Sequence, residues 1–200
     1  MSVAFDQSET RGDAELMALY ARGDHSAARL LTGRHLPRVL AHAYRLLQDR
    51  AEAEDVAQEA MLKLWKIAPD WREGEARLST WLYRVTANAC TDRLRKRRTT
   101  GLEAASEQID DTPGAVEKMI IGERQRALHL AIGSLPERQR NALTLRHFEA
   151  LSNPEIAETL ETSVEAVESL LGRARRTLSE KLSHLRPRKT GPQPKKGAMP

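Results

Sequence analysis

Near the middle of the chain, Arg93-Leu-Arg-Lys-Arg-Arg98 packs five cations into six residues. Just upstream, in the run STWLYRVTANACTDRLRKRR, stand Trp81, Tyr83 and Asn88. Rings that stack on bases, beside cations that hold phosphates, are the groups a single-stranded nucleic acid needs from a protein. The same residues also have a structural reading, with Trp81 and Tyr83 as buried anchors and the cations as a solvated helix end favoured by the dipole. An earlier stretch, AEAEDVAQEAMLKLWKI from Ala51, places Glu52, Asp55, Gln58 and Glu59 off an apolar stripe of Val56, Ala60, Leu64 and Ile67. An acidic face of this kind suits a basic partner surface, although most charged faces are simply solvated.

A second pattern lies between Ser152 and Leu185. Ser152-Asn-Pro-Glu155 is a capping box, and Pro154 falls in the first turn, where a missing N–H costs little. A short helix follows with Ile156, Ala157 and Leu160 inward, and Thr162-Ser-Val-Glu165 offers a second box. From Val164 the stripe Val167, Leu171, Ala174, Leu178 and Leu182 recurs every three or four residues, leaving Glu165, Ser169, Arg173 and Arg176 on the other face. A short helix, a tight turn and a long helix with a polar face can read a DNA major groove, or can be an ordinary helical hairpin.

Signs of catalysis are weak. Cys90 is the single thiol, the six histidines are scattered, and neither HExxH, a nucleophile elbow nor a phosphate-cradling glycine loop occurs. His35 and His42, seven apart, lack a further ligand in sequence and make a poor metal site. No cofactor and no metal are expected.

These groups must be held by helices. The periodicity predicts them near 12–22, 25–47, 51–67, 78–97, 117–133, 136–149, 153–160 and 164–184, without the alternating runs of strands. Thr99–Pro113, TTGLEAASEQIDDTP, has no apolar period and reads as a linker. The expected organisation is an N-terminal extension at 1–11, a first all-α domain at 12–98, a flexible acidic linker at 99–116, a second all-α domain with the helix-turn-helix at 117–185, and a basic tail at 186–200. The 200 residues, 40% hydrophobic and 30% charged, suffice for two small cores and contain no membrane-spanning run. The net charge of +4 is uneven: 12–98 holds 16 basic and 12 acidic groups, 99–122 one against five, and 123–185 nine of each. A single cysteine and no basic-then-apolar N-terminus suggest a reducing, cytoplasmic setting.

In order and spacing, four stretches resemble the bacterial RNA polymerase sigma factors of the extracytoplasmic-function group: DRAEAEDVAQEAMLKLW, STWLYRVTANACTDRLRKRR, SLPERQRNALTLRHFEALSNPEIAETL and SVEAVESLLGRARRTL. The resemblance runs from Asp13 to Leu185. It implies that Glu54, Asp55, Gln58, Glu59, Leu62 and Trp65 dock on the clamp helices of the polymerase large subunit. It implies that the Trp71–Arg77 loop and the Trp81–Asn88 face capture unstacked bases of the −10 element, with Arg72, Arg77, Trp81, Tyr83, Arg84 and Asn88 among the contacts. Arg93, Arg95, Lys96, Arg97 and Arg98 would hold the DNA backbone there. Leu135-Pro-Glu-Arg-Gln-Arg140 would begin the helices that bind the polymerase flap. The helix from Val164 would read −35 duplex through Ser163, Glu165, Ala166, Ser169, Arg173 and Arg176.

One departure is that Glu168 and Leu170 stand where the family commonly has basic residues; a carboxylate is repelled by phosphate, although Glu can accept from cytosine. Gly172, in mid-helix, suggests close approach of DNA, a partner or another helix. The resemblance further implies a cognate anti-sigma factor that covers the acidic helix and holds the domains closed until a stress signal, with the active protein on the nucleoid and no membrane contact of its own. The rival readings are an enzyme and a stand-alone helix-turn-helix regulator; the latter leaves the acidic and aromatic-basic helices unexplained.

Overall fold

In the computed structural model, residues 11–72, 77–99 and 116–183 are described, with side chains in the last segment from Gln125 onward. The expected N-terminal extension, the middle of the Trp71–Arg77 loop, the acidic linker and the basic tail fall, but for their end residues, outside this set. The first domain holds α1 (Asp13–Ala21), α2 (His25–Leu47), α3 (Arg50–Ile67) and α4 (Leu78–Thr99), with a 3-10 turn at Ala68–Asp70. The second holds α5 (Val116–Gly133), α6 (Glu137–His147), α7 (Asn153–Thr159) and α8 (Val164–Lys181). No strand occurs among the described residues, and the class is all-α.

Local chemistry sets most helix ends. Asp24 caps α2 by accepting from the Ser26 N–H at 2.9 Å. Gln48, at φ 57°, turns the chain out of α2, and Asp49 caps α3 through the Glu52 N–H at 3.0 Å. Ser152 and Glu155 form the capping box of α7. The second expected box shifts by one residue: Ser163, not Thr162, is the cap of α8 and accepts from the Ala166 N–H at 3.2 Å. Thr162 is unavailable because its N–H bonds back to the Ala157 carbonyl, completing the exit of α7. Helix α4 starts at Leu78, one residue before Ser79.

Each domain has its own core. Leu16, Leu31, Val39, Leu64 and Leu82 bury completely or nearly so between α1, α2, α3 and α4, each contributing roughly 1.5–3 kcal/mol. A second layer, with Val56 and Cys90, continues toward the end of α4. Burial pushes the Cys90 thiol up to about 12, which makes it inert at neutral pH. In the second domain Leu145, Ile156, Val167 and Leu171 form one cluster, and Ile132, Leu135, Leu143 and Ala174 another. Helix α1 is tied to α2 by Asp13, which bonds Arg34 at 2.5 Å and His35 at 2.8 Å. Burial disfavours the Asp13 charge, but those partners outweigh it and hold the pKa below the usual range.

The domains also pack on each other. Tyr83 of α4 is 3% exposed and belongs to the apolar cluster of the second domain. Arg140 of α6 donates to the carbonyls of Leu46, Gly133 and Leu135, so one guanidinium joins the C-terminal ends of α2 and α5. His42 of α2 is fully buried at this junction, 5.3 Å from the Tyr83 ring. Burial drives its pKa down to about 3; Arg45 adds to the effect and Asn141 opposes it. His35 and His42 are therefore packing residues in separate surroundings, and no cluster of three metal-ligating side chains occurs among the described residues.

Candidate nucleic-acid interface

Three surfaces carry the residues singled out by sequence. On α3, Asp55, Gln58, Glu59 and Leu62 follow helical spacing along one solvent-facing strip. Leu62 is 60% exposed, a large apolar side chain set among acids. Glu54 pairs with Arg50 at 2.9 Å and Glu59 with Lys63 at 2.8 Å, both one helical turn apart. The Lys63 bond outweighs burial and lowers the Glu59 pKa, so this face is anionic at neutral pH. Trp65 departs from the strip: its ring packs against Tyr20 at 4.8 Å, as part of the core margin.

The second surface is built by the end of α3, the turn after it and the start of α4. Trp71 and Trp81 meet edge to face at 6.1 Å. They wall a cleft of about 300 Å3 that also takes in Ile67, Asp70, Arg72, Arg84 and, from the second domain, Glu158, so its lining holds two guanidiniums and two carboxylates. A cleft with two indoles and two guanidiniums can stack a planar ring and neutralise an attached phosphate. Trp71 and Ile67, not singled out individually by sequence, form its inner wall; the recurrence of two tryptophans across a short loop was the available signal. Arg77 and Asn88 are exposed. Tyr83 is not: its hydroxyl donates to Glu149 at 2.5 Å.

The basic run at the end of α4 splits into two sets. Arg95 and Lys96 face outward, while Arg93 and Arg97 turn onto α3. Arg97 reaches Glu52 at 3.0 Å and Asp49 at 3.1 Å, and donates to the Leu47 carbonyl. Arg93 lies 3.7–3.8 Å from Glu52, Asp55 and Glu59. Arg98 is held by Glu137 of α6 at 3.4 Å. In this arrangement Arg93 and Arg97 bind carboxylates half-buried against α3, whereas Arg95, Lys96 and Arg98 lie on the exposed side, Arg95 within 3.9 Å of Asp92.

The third surface is the outer face of α8, where Glu165, Ser169, Arg173 and Arg176 are exposed and Ala166 is half-buried. Ser163 is occupied as the cap. Leu170, one of the two departures, packs against the second-domain cluster and so is not a missing base reader; Glu168 alone faces outward. Beside Gly172 an added Cβ would meet nothing within 4 Å among the described residues.

Comparison with known proteins places this geometry in a family. Residues 31–100 match the family model described as Sigma-70 region 2, and residues 125–178 that described as Sigma-70, region 4. The RNA polymerase sigma-H factor of Pseudomonas aeruginosa is 33% identical over 184 residues, covering 86% of this chain and 95% of that protein. The ECF RNA polymerase sigma-E factor of Escherichia coli is 30% identical over 189 residues, covering 89% and 98%. The solved structure of CnrH in complex with the cytosolic domain of CnrY matches with a TM-score of 0.64 and 29% identity, over 86% of this chain and 97% of that one. With both family regions in order and full-length relatives on either side of the comparison, this chain belongs to the extracytoplasmic-function group of sigma factors.

Proposed function

We propose that the chain is a non-enzymatic specificity subunit that brings bacterial RNA polymerase to promoters. The acidic strip of α3, with Leu62 at its centre and Glu54, Asp55, Gln58 and Glu59 around it, docks on a basic surface of the core enzyme, the clamp helices of the large subunit. The helices that begin at Leu135 meet the polymerase flap. The cleft between Trp71 and Trp81 receives unstacked bases of the −10 element, with Arg72, Arg77, Arg84 and Asn88 beside it and Arg95 and Lys96 on the backbone. The exposed face of α8 reads the −35 element as duplex through Ser169, Arg173 and Arg176.

The observation that carries this reading is the pairing, in one chain, of a cleft walled by two tryptophans and holding two guanidiniums with a doubly capped helix pair. The first suits single strands and the second suits duplex, the two forms of DNA that coexist only where a duplex is being opened. Extruding a base costs a few kcal/mol, and stacking returns roughly 1–3 kcal/mol per base, so capture in such a cleft favours melting. No helix among the described residues is long and apolar enough to cross a membrane, which agrees with action on cytoplasmic DNA. CnrH is solved with the cytosolic domain of CnrY, and an anti-sigma factor that restrains this chain until a stress signal is proposed on that likeness.

Run-off transcription with core polymerase over a genomic DNA pool, with and without the protein, tests the reading. New starts that share a two-part upstream element are expected. Failure to bind core in a pull-down, with retained duplex binding, would point to a stand-alone regulator instead.

A further inference from the structure

Each domain's role requires a free surface, yet acids of the second domain pair with cations and a hydroxyl of the first on one side of the molecule, leaving Arg77 exposed at its edge. Four of the acids of the second domain sit on the face of the first that carries the cleft. Glu149 accepts from the Tyr83 hydroxyl at 2.5 Å and from Arg45 at 3.1 Å, with its side chain 6% exposed. Arg45 in turn lies over the Phe148 ring, 4.1 Å from its centroid. Glu155 bonds Arg77 at 3.0 Å, Glu161 stands 3.9 Å from Arg84, and Glu158 forms part of the wall of the tryptophan cleft. On the other side of the second domain, Ser169, Arg173 and Arg176 remain exposed. The closure is therefore selective for one of the two DNA-reading surfaces.

The chemistry of the match is that of a nucleic-acid strand. Arg77, Arg84 and the Tyr83 hydroxyl donate only to anions or acceptors, and in a promoter complex those would be phosphates and base edges. Here carboxylates take the same places. Glu161 adopts φ 48°, a conformation in which glycine would cost less, and it is the residue that reaches toward Arg84. These acids add to the Tyr83 cluster and the Arg140 bonds in holding the domains in this pose; acids elsewhere, such as Glu168 and Glu180 on α8, face solvent.

We infer that the acidic rim formed by Glu149, Glu155, Glu158 and Glu161 is an internal strand mimic, a docking surface whose partner is the −10-reading face of the same chain. The inference rests on the function proposed above for that face. In the free chain the rim competes with single-stranded DNA, and separation of the domains is required before the cleft is filled. Binding of single-stranded DNA by the isolated protein is then expected to be weaker than its exposed cations alone would give.

The test uses the full-length protein without polymerase and a fluorescein-labelled pool of random single-stranded DNA of about twelve nucleotides, long enough to span such a site. The variant E149Q/E161Q keeps side-chain shape and removes two carboxylates. The variant E15Q/E180Q removes the same charge away from the contact. Tighter binding by E149Q/E161Q of about tenfold is expected, against about twofold or less for E15Q/E180Q, together with increased acrylamide quenching of tryptophan fluorescence in E149Q/E161Q alone. Equal gains in the two variants, or increased quenching without a gain in affinity, would overturn the mimic. Run-off transcription by the wild-type protein with core polymerase separates the two levels. Promoter-dependent starts with equal gains remove the mimic and leave the function, whereas absence of core binding and of starts removes both.

Discussion

The arginines of α4 and those of α8 look alike in sequence and meet opposite fates. Arg93 and Arg97 fold back onto the acids of α3, and Arg97 also takes a helix-end carbonyl. Arg173 and Arg176 stand in solvent on a face with no helix opposite. What separates them is the neighbour. Helix α3 supplies Asp49, Glu52, Asp55 and Glu59 within reach of α4, whereas the partner side of α8 is apolar. The run of cations thus divides: Arg93 and Arg97 neutralise acids at and beside α3, and Arg95 and Lys96 lie on the exposed side of α4.

Breaking the inner set should have the largest effect. Replacing Arg97 by Ala leaves Asp49 without this cation, Glu52 with Arg93 alone at 3.8 Å and the Leu47 carbonyl without its guanidinium, and a loss of about 2 kcal/mol in urea unfolding is expected. An unfolding midpoint equal to wild type would show that these contacts are as weak as ordinary surface pairs.

Acid probes the buried junction in a comparable way. His42 has a folded pKa of about 3 against an ordinary histidine value of 6.5, so the unfolded chain takes the proton first. Its contribution is whole above about pH 6.5 and is lost as pH falls toward the folded value; moving from about pH 7 to about pH 5 should cost about 2 kcal/mol. His42→Leu should flatten that slope between the two pH values, and an unchanged slope would exclude His42 as its source.

The capping box of α7 comes next. Ser152→Ala removes the hydroxyl that accepts from the Glu155 N–H and donates to its carboxylate, and about 1 kcal/mol of thermal stability should go with it. At the small end, R173A/R176A should alter stability by less than about 0.5 kcal/mol. In a polymerase–promoter binding assay the same pair should lower the slope of log affinity against log salt by up to about 2, since each phosphate contact contributes nearly one unit. An unchanged slope would mean that α8 does not lie on the duplex backbone.

Helix positions were legible because their signals are local: caps at Asp49 and Ser152 and stripes such as Val56, Ala60 and Leu64 lie within a few residues of what they control. The split of the basic run was also written in the sequence, since Thr86, Cys90, Arg93 and Arg97 continue one inward stripe of α4 at spacings of four, three and four. The charge of the last two residues obscured a pattern that their positions carried. The fate of Tyr83 was not legible. Its partners, Glu149 and the second-domain cluster, lie about sixty residues or more away in sequence, and no local rule brings them together. Leu170 was misjudged for a related reason: read against the family pattern it was an absent cation, whereas its place on the helix cylinder turns it to the core. The contact between the domains, expected only in the grip of a partner, forms within the chain itself.

Arg140 adds one consequence for how such a joint evolves. Its guanidinium holds the carbonyls of Leu46, Gly133 and Leu135, and every residue type has that carbonyl. The side chains at those three positions can therefore drift while the bond persists, and the arginine has no partner identity to co-vary with. Searches for correlated substitutions would pass over this bond while finding side-chain pairs such as Tyr83 with Glu149, and would so understate what ties the two domains together.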